Sequence, residues 1–531
     1  MIKRAGNLFA TAYLLLIFGL YPFYMKEGYV GIGEEKYEFF LYCSLGALAI
    51  LLTLALLRGM QIIKERRLAG EAYLIDWSRL SVTDLLVLLF LGEITISALF
   101  SDFGKEAVWG TDGWHIGFVL LACLCGLYLI LSRLWDRNRI IWYVSIAASG
   151  AVFLLGILDS FSLYVIPLAV REAGFISTMG NINWFCGYLS VLAPVGIGMF
   201  LYEKQKQQES AAEGRRSFKV WGYGIYTVIA FMAGFAQGSN SVFLWFAGLF
   251  FLLLWFSVGN SRRMVAWSVL LILWGMSAQL VRLMKRLMPG GYNYEENNLC
   301  GYFTHSSLSL WIALLAFAAS VWLTYRAENN PKQEEDRERE KKGRKNLAVL
   351  LAAGIFLWVI LSVINTWTDA AGFIENSLFQ WDQSWGNGRG ASLKAGFLAF
   401  EKLPFMKKLI GVGPDCFAAY AYSIPEIASG LRDYFGSSRL TNAHNEIVTS
   451  LVNIGILGTL LYVGSLLSFI TRCFLAGKKQ KQPFLYIAGI CVCCYMIHNM
   501  VSFAQVLNLP FAFLIMAMGE CLIQNGSDLP K

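Results

Sequence analysis

Long apolar runs recur along the whole chain and constrain its fold more than any other feature. About fourteen of these runs are each roughly 17–25 residues long, enough to cross a ~30 Å hydrocarbon core as an α-helix. Because 56% of the residues are hydrophobic and only 15% are charged, we predict an all-α polytopic integral membrane protein that forms a single membrane domain over residues 1–531. The predicted spans are 8–25, 38–57, 82–100, 116–132, 140–158, 184–201, 221–238, 242–258, 264–281, 307–325, 347–365, 447–471, 484–501 and 506–523.

Basic residues are concentrated in alternate loops, and this pattern predicts the orientation of the chain. Lys3 and Arg4 precede the first span, and Lys478 and Lys479 follow the twelfth. Since Lys and Arg accumulate in cytoplasmic loops, we predict that both termini and the charged linker 326–346 are cytoplasmic. Residues 366–446 then form one large extracytoplasmic loop containing short helices. The net charge of +8 reflects this topology, and we predict no nucleic-acid binding.

The first polar motif of the outer loop is GNGRGASLKAGFLAF, which contains Arg389 and Lys394. Arginine presents a planar fork of donors that suits a diphosphate, so Arg389 is a candidate catalytic residue. The alternative is an interfacial arginine that extends toward lipid head groups. Residues 393–403 predict an amphipathic helix that lies on the membrane surface.

The second polar motif is TNAHNEIVTSLVNIGILG, and it contains His444. An ordinary histidine pKa near 6.5 allows proton transfer at neutral pH, and no other group of the loop has an ordinary pKa in that range. His444 is therefore a candidate general base, although loop histidines are often simply exposed. Asn445 would orient the substrate or hold the loop, and Glu446 would orient a base or cap a helix. Thr441 or Asn442 is the expected N-cap of the span that follows.

Upstream, the stretch FISTMGNINWFCGYL places two amides, Asn181 and Asn183, at the start of a span. They are candidates for hydrogen bonds to sugar or diphosphate oxygens, with helix capping as an equal alternative. No spacing typical of a metal site is present, so we predict neither a metal nor a cofactor.

The outer-loop motifs, together with the turn LIGVGPDCF between them, resemble the O-antigen ligase and polymerase superfamily of bacterial membrane glycosyltransferases. The resemblance implies transfer or polymerisation of a glycan from a polyprenyl-diphosphate carrier to an acceptor hydroxyl at the outer face of the plasma membrane. It implies that His444 takes the acceptor proton while Arg389 stabilises the leaving diphosphate. The substrate contacts would be Asn181, Asn183, Lys394, Asn445 and Glu446.

The same resemblance leaves several questions open. The acceptor is a glycan, a lipid or a protein, and ligases and polymerases share these motifs. Asn240 stands where many relatives carry a second arginine, so a second diphosphate contact is not assigned. The alternative function is a transporter or flippase of lipid-linked glycans. Transporters usually place their polar sites near the bilayer midplane, whereas the distinctive polar residues here lie in the outer loop.

Overall fold

The computed structural model describes residues 2–69, 80–168, 170–171, 174–209, 218–296, 298–329, 337–367 and 379–526. Most of the described residues are helical. The helices are α1 Ile2–Leu15, α2 Ile32–Leu68, α3 Val82–Leu99, α4 Gly104–Trp109, α5 Phe118–Leu134, α6 Ile140–Ser160, α7 Ile182–Glu209, α8 Phe218–Ala236, α9 Val242–Ser257, α10 Ser261–Leu287, α11 Leu299–His305, α12 Leu308–Asn329, α13 Arg337–Trp367, α14 Trp385–Glu401, α15 Phe405–Ile410, α16 Phe417–Ser423, α17 Pro425–Phe435, α18 Glu446–Asn453, α19 Gly455–Gln480, α20 Pro483–His498 and α21 Leu509–Asn525. A π-turn (Leu16–Leu20) and a 3₁₀ turn (Tyr21–Phe23) extend α1. The strands β1 Phe175–Ile176 and β2 Gly180–Asn181 form one antiparallel pair before α7, with Phe175 opposite Asn181.

The described residues include ten helices that are long and apolar enough to cross a membrane. Four shorter apolar helices, α5, α9, α20 and α21, coincide with further predicted spans. The prediction of an all-α polytopic membrane protein is therefore confirmed, while the count of fourteen spans remains a prediction. The sides assigned to the linker 326–346 and the loop 366–446 also remain predictions, and residues 330–336 and 368–378 lie outside the described part of the chain.

Helices α7, α20 and α21 form the centre of the bundle. Every residue of α21 from Leu509 to Leu522 is buried, and α20 packs against α7, α9, α19 and α21. A helix that is hydrophobic on all sides is stable inside a bundle. Helix α13, in contrast, leaves most of its apolar side chains exposed, as expected for a helix that faces lipid.

The predicted span 447–471 is divided into two helices, so the prediction of one continuous span is wrong. Gly455, at the break, has φ +65°, and an added Cβ would lie 2.3 Å from the Leu409 carbonyl oxygen. Only glycine fits this close approach and this conformation. The N-cap of the short helix α18 is Asn445, whose Oδ1 accepts the Val448 N–H at 3.1 Å, rather than Thr441 or Asn442.

In the predicted outer loop, helices α14, α16 and α17 pack with α18 around a small apolar core. Helix α14 turns its small residues inward, including Ala395 and Ala399, while Phe397 remains 56% exposed. These small side chains allow a close contact with α18, since an added Cβ on Gly396 would lie 2.6 Å from a methyl group of Val448. This packing fixes the start of α14, where Arg389 lies, relative to the chain that precedes α18.

Candidate active site

A left-handed turn holds Arg389 at the start of α14. Gly386, Asn387 and Gly388 all have positive φ, a conformation that glycine and asparagine adopt most readily. The turn directs the Gly386 carbonyl toward Arg389, whose Nη1 donates to it at 2.6 Å. Arg389 Nε donates to the Val501 carbonyl at 2.8 Å. No carboxylate of the described residues pairs with this guanidinium, and most of its five N–H donors remain available for an anion.

His444 lies on the loop before α18 in a left-handed conformation, with φ +49°. Its backbone N–H donates to Asn442 Oδ1 at 3.0 Å, and its ring packs edge to face against Phe503 at 5.5 Å between centroids. Nδ1 is buried and has no hydrogen-bond partner in the described structure. Burial and the positive charge of Arg389 lower the pKa of His444 to about 4. The ring is therefore neutral at pH 7 and free to accept a proton.

Both motifs contact one segment that sequence analysis missed, residues 499–508 between α20 and α21. Besides the Arg389 contact, Asn445 Nδ2 donates to the Met500 carbonyl at 2.8 Å. The Glu446 N–H donates to the Asn499 carbonyl at 2.9 Å, and the Glu446 carboxylate accepts the Ala504 N–H. The prediction assigned most of this segment to spans 484–501 and 506–523. Its polar residues, in the run HNMVSFAQVLN, were the available signal.

Several buried polar atoms in and beside the 499–508 segment have no hydrogen-bond partner in the described structure. They are His498 Nε2, Asn499 Nδ2, Ser502 Oγ and both amide atoms of Gln505. Buried polar groups are nearly always satisfied in native proteins. A group of unpaired atoms next to an unpaired arginine therefore indicates a site for a polar ligand.

Aromatic contacts bring the loop 101–117 and the stretch 175–189 to the same place. Trp184 of α7 packs against Trp114 at 5.5 Å, and Trp114 packs against Phe503 at 5.0 Å. Helix α7 also approaches the segment directly, since an added Cβ on Gly187 would lie 2.8 Å from Asn508 Nδ2. The stretches 101–117 and 175–189 thus border the same centre as His444.

The other candidate substrate residues are placed differently. Asn181 Oδ1 accepts the Asn183 N–H at 2.8 Å, a contact that caps the start of α7. Lys394 is exposed on α14, and no described residue forms an ion pair with it. Asn445 combines two structural contacts, as the N-cap of α18 and as an anchor of the 499–508 segment. Among the predicted site residues, Arg389, His444, Asn445 and Glu446 form hydrogen bonds or ring contacts with that segment.

Two carboxyl groups near His444 titrate close to neutrality, contrary to the expectation that His444 is alone in that range. Burial and the charge of Asp415 raise the pKa of Glu446 to about 7. Burial also raises the pKa of Asp415 to about 7, although Oδ2 accepts the N–H groups of Thr111 and Ile116 at 2.8 and 3.0 Å. These bonds tie the GVGPD turn to the 101–117 loop.

Asn240, Lys285 and Arg171 are polar residues that could supply a second anion contact, and each has an intramolecular partner. Asn240 Oδ1 accepts the Leu299 N–H at 2.8 Å. Lys285 pairs with Glu296 at 3.3 Å, and the Arg171 guanidinium lies 3.5 Å from the centre of the Tyr164 ring. Within the described ranges, no group of three or more His, Cys, Asp or Glu side chains is arranged to hold a metal ion.

The fold and this centre define a polytopic membrane protein in which an arginine without a carboxylate partner and a neutral histidine both contact the segment between α20 and α21. The O-antigen ligase family model matches residues 299–463, a range that includes both Arg389 and His444. This match confirms the resemblance of the chain to the O-antigen ligase and polymerase superfamily. No curated protein matches the chain. The family indicates glycan transfer or ligation at the membrane, with a lipid-linked glycan donor and a glycan acceptor.

Proposed function

We propose that the protein transfers a glycan from a polyprenyl-diphosphate carrier to an acceptor hydroxyl at the outer face of the plasma membrane. Arg389 binds the diphosphate, and His444 is the general base. The observation that carries the proposal is that both side chains contact the 499–508 segment, while His444 Nδ1 has no hydrogen-bond partner and Arg389 uses only two of its five N–H donors on protein carbonyls. Lipid-linked glycans also require a membrane site, which the apolar helices supply.

The reaction needs one bond to form and one to break. The acceptor oxygen attacks the anomeric carbon of the donor, and the bond from that carbon to the carrier diphosphate breaks. The diphosphate leaves as an anion, and the unused N–H donors of Arg389 stabilise its developing charge. His444 receives the acceptor proton. We infer that no metal is required, since the arginine supplies the positive charge.

Substrate binding changes the basicity of His444 in the direction that the reaction needs. In the free protein, the charge of Arg389 contributes to the low pKa of His444. A diphosphate bound to Arg389 offsets that charge with negative charge of its own, so the pKa of His444 rises toward its ordinary value. The base therefore becomes stronger only when the donor is in place.

Complementation of cells that lack the protein tests this proposal. We expect these cells to accumulate carrier-linked glycan on the outer leaflet, because the final transfer fails. His444→Ala should insert normally and leave the accumulation unchanged, because a general base contributes about 10²–10⁴-fold to the rate. His305→Ala is the matched control. This histidine is half exposed, and its Nε2 lies 2.6 Å from a Glu296 carboxylate oxygen, outside the 499–508 segment. It should restore transfer.

The same experiment separates the proposal from a transporter or flippase. A flippase defect would leave the carrier-linked glycan on the inner leaflet, where an added impermeant lectin does not reach it in intact cells. Full complementation by His444→Ala would remove the histidine from the reaction. Accumulation on the inner leaflet would replace glycan transfer with transport.

A further inference from the structure

A cavity lies beside His444, on the side of Phe503 and Glu446. It is formed by the end of the 101–117 loop, the GVGPD turn, helix α18 and the 499–508 segment. Its polar and aromatic lining includes Trp114, Asp415, Asn442, Glu446, Asn453 and Phe503. We call it the Asp415–Glu446 cavity. Gly386 and Val501, whose carbonyls accept hydrogen bonds from Arg389, do not line this cavity.

The size of the cavity limits its occupant. The cavity volume is about 50 Å³, enough for a few ordered waters. This space holds the hydroxyl-bearing edge of one sugar ring or a group of similar size. An oligosaccharide or a lipid chain would have to lie mostly outside it.

The cavity presents polar atoms that no described residue satisfies. Asn453 is only 9% exposed, and its Oδ1 has no hydrogen-bond partner. Asp415 and Glu446 each use one carboxyl oxygen to accept backbone N–H groups, and the second oxygen of each has no partner in the described part of the chain. A buried amide without a hydrogen-bond partner is destabilising unless a ligand or a water molecule forms the missing hydrogen bond.

These groups match a sugar better than an ion. A carboxyl group near half protonation both accepts and donates hydrogen bonds, as a sugar hydroxyl does, and burial keeps the pKa values of Asp415 and Glu446 near 7. An anion would be repelled by the ionised fraction. A divalent cation prefers several unshared oxygen ligands, whereas one oxygen of each carboxyl already accepts backbone N–H groups. Trp114 and Phe503 add flat apolar faces of the kind that pack against the C–H face of a sugar ring.

We propose that the Asp415–Glu446 cavity binds one sugar ring of the acceptor by its hydroxyl edge. The position supports this assignment, because Phe503 both lines the cavity and contacts the His444 ring. Asn442 and Glu446, two residues before and after His444, line it as well. A ring held there presents a further hydroxyl to the base, while the donor diphosphate lies at Arg389. The identification of the sugar as the acceptor rests on the proposed function.

Saturation-transfer NMR of the purified full-length protein in deuterated-lipid nanodiscs tests the cavity directly. The probes are methyl glycosides of common hexoses and N-acetylhexosamines, added singly at millimolar concentration. At least one should give saturable transfer in the wild type. Asp415→Asn keeps an oxygen for Thr111 and Ile116 and tolerates the φ of +58°, but it replaces the free oxygen with a donor. It should weaken binding about ten-fold, the effect of losing a hydrogen bond to a charged group.

Asn453→Leu, of similar volume, should weaken binding of the same glycoside by a comparable factor. Asp112→Asn is the matched control, since its carboxylate is highly exposed and does not line the cavity. It should bind as the wild type does, and thermal melting verifies that each variant is folded. Absence of saturable binding by every glycoside in the wild type would overturn the proposal. Glycoside binding that both cavity variants retain at wild-type strength would also overturn the proposal, as would calcium binding that Asp415→Asn abolishes.

The two proposals fail in different ways. His444→Ala should retain glycoside binding while losing transfer. Transfer that persists in His444→Ala would refute the proposed base but leave the binding data intact. Glycoside binding that does not depend on the cavity would refute the acceptor site but leave the roles of His444 and Arg389 untouched.

Discussion

Replacing Arg389 with lysine tests the geometry of the centre more sharply than removing the side chain. The guanidinium makes two contacts with protein, from Nε to the Val501 carbonyl and from Nη1 to the Gly386 carbonyl, and still has donors left for a diphosphate. A lysine ammonium has three donors on a single atom. It cannot hold both carbonyls and a diphosphate in the same geometry.

The expected loss follows from the number of contacts. If Arg389→Lys loses two hydrogen bonds made by a charged group, at about 1.5–3 kcal/mol each, the transition state is destabilised by about 3–6 kcal/mol. This corresponds to a fall in kcat/KM of about 10²–10⁴-fold. The positive charge is retained, so a purely electrostatic role would predict a much smaller effect.

The assay uses purified protein in proteoliposomes with carrier-linked glycan extracted from the deletion strain. Transfer is measured as loss of the lipid-linked donor and appearance of extended acceptor. Arg432→Lys is the control, because Arg432 is exposed on α17 of the same loop, and its activity should equal that of the wild type. Arg389→Lys with wild-type kcat/KM would show that bidentate contact is not needed and would refute this account of the site.

Further predictions concern pH, metal and topology. His444 acts in its neutral form and its pKa is lowered to about 4, so kcat/KM should fall only as the pH approaches 4. Any inflection of kcat/KM near pH 7 should change in Glu446→Gln. Because the pKa of Glu446 is raised, the folded protein keeps a proton that the unfolded chain has released. Thermal stability should therefore fall as the pH rises from about 5 to 7. A melting series in which Glu446→Gln shows the same decline as the wild type would contradict this. Transfer should survive excess EDTA, and restoration by an added divalent ion would disprove the metal-free account. A Gln383→Cys variant should react with an impermeant maleimide in intact cells, and reaction only after permeabilisation would reverse the predicted topology.

The membrane class of the fold and the two motifs could be identified from the sequence because each depends on local information. Apolar runs of membrane length have few structural alternatives, and the residues around Arg389 and His444 are contiguous in the chain. The break at Gly455 was missed because a glycine in an apolar run does not reveal the close approach of Leu409. That approach comes from a different part of the chain.

The shared 499–508 segment could not be predicted for the same reason. Arg389 and Val501 are 112 residues apart in the sequence, and no local pattern links them. The pKa of His444 was also misjudged from its residue type. Its value depends on burial and on the charge of Arg389, which are properties of the folded protein.

The sequence alone therefore determined that this chain crosses a membrane many times and carries an arginine motif and a histidine motif. Hydrophobic length and residue chemistry act at short range along the chain, so they can be recognised without a structure. Only the tertiary structure placed both motifs against the turn between α20 and α21 and formed the Asp415–Glu446 cavity beside them. Contacts, burial and electrostatic shifts arise between residues that are distant in sequence, and they exist only after the helices pack.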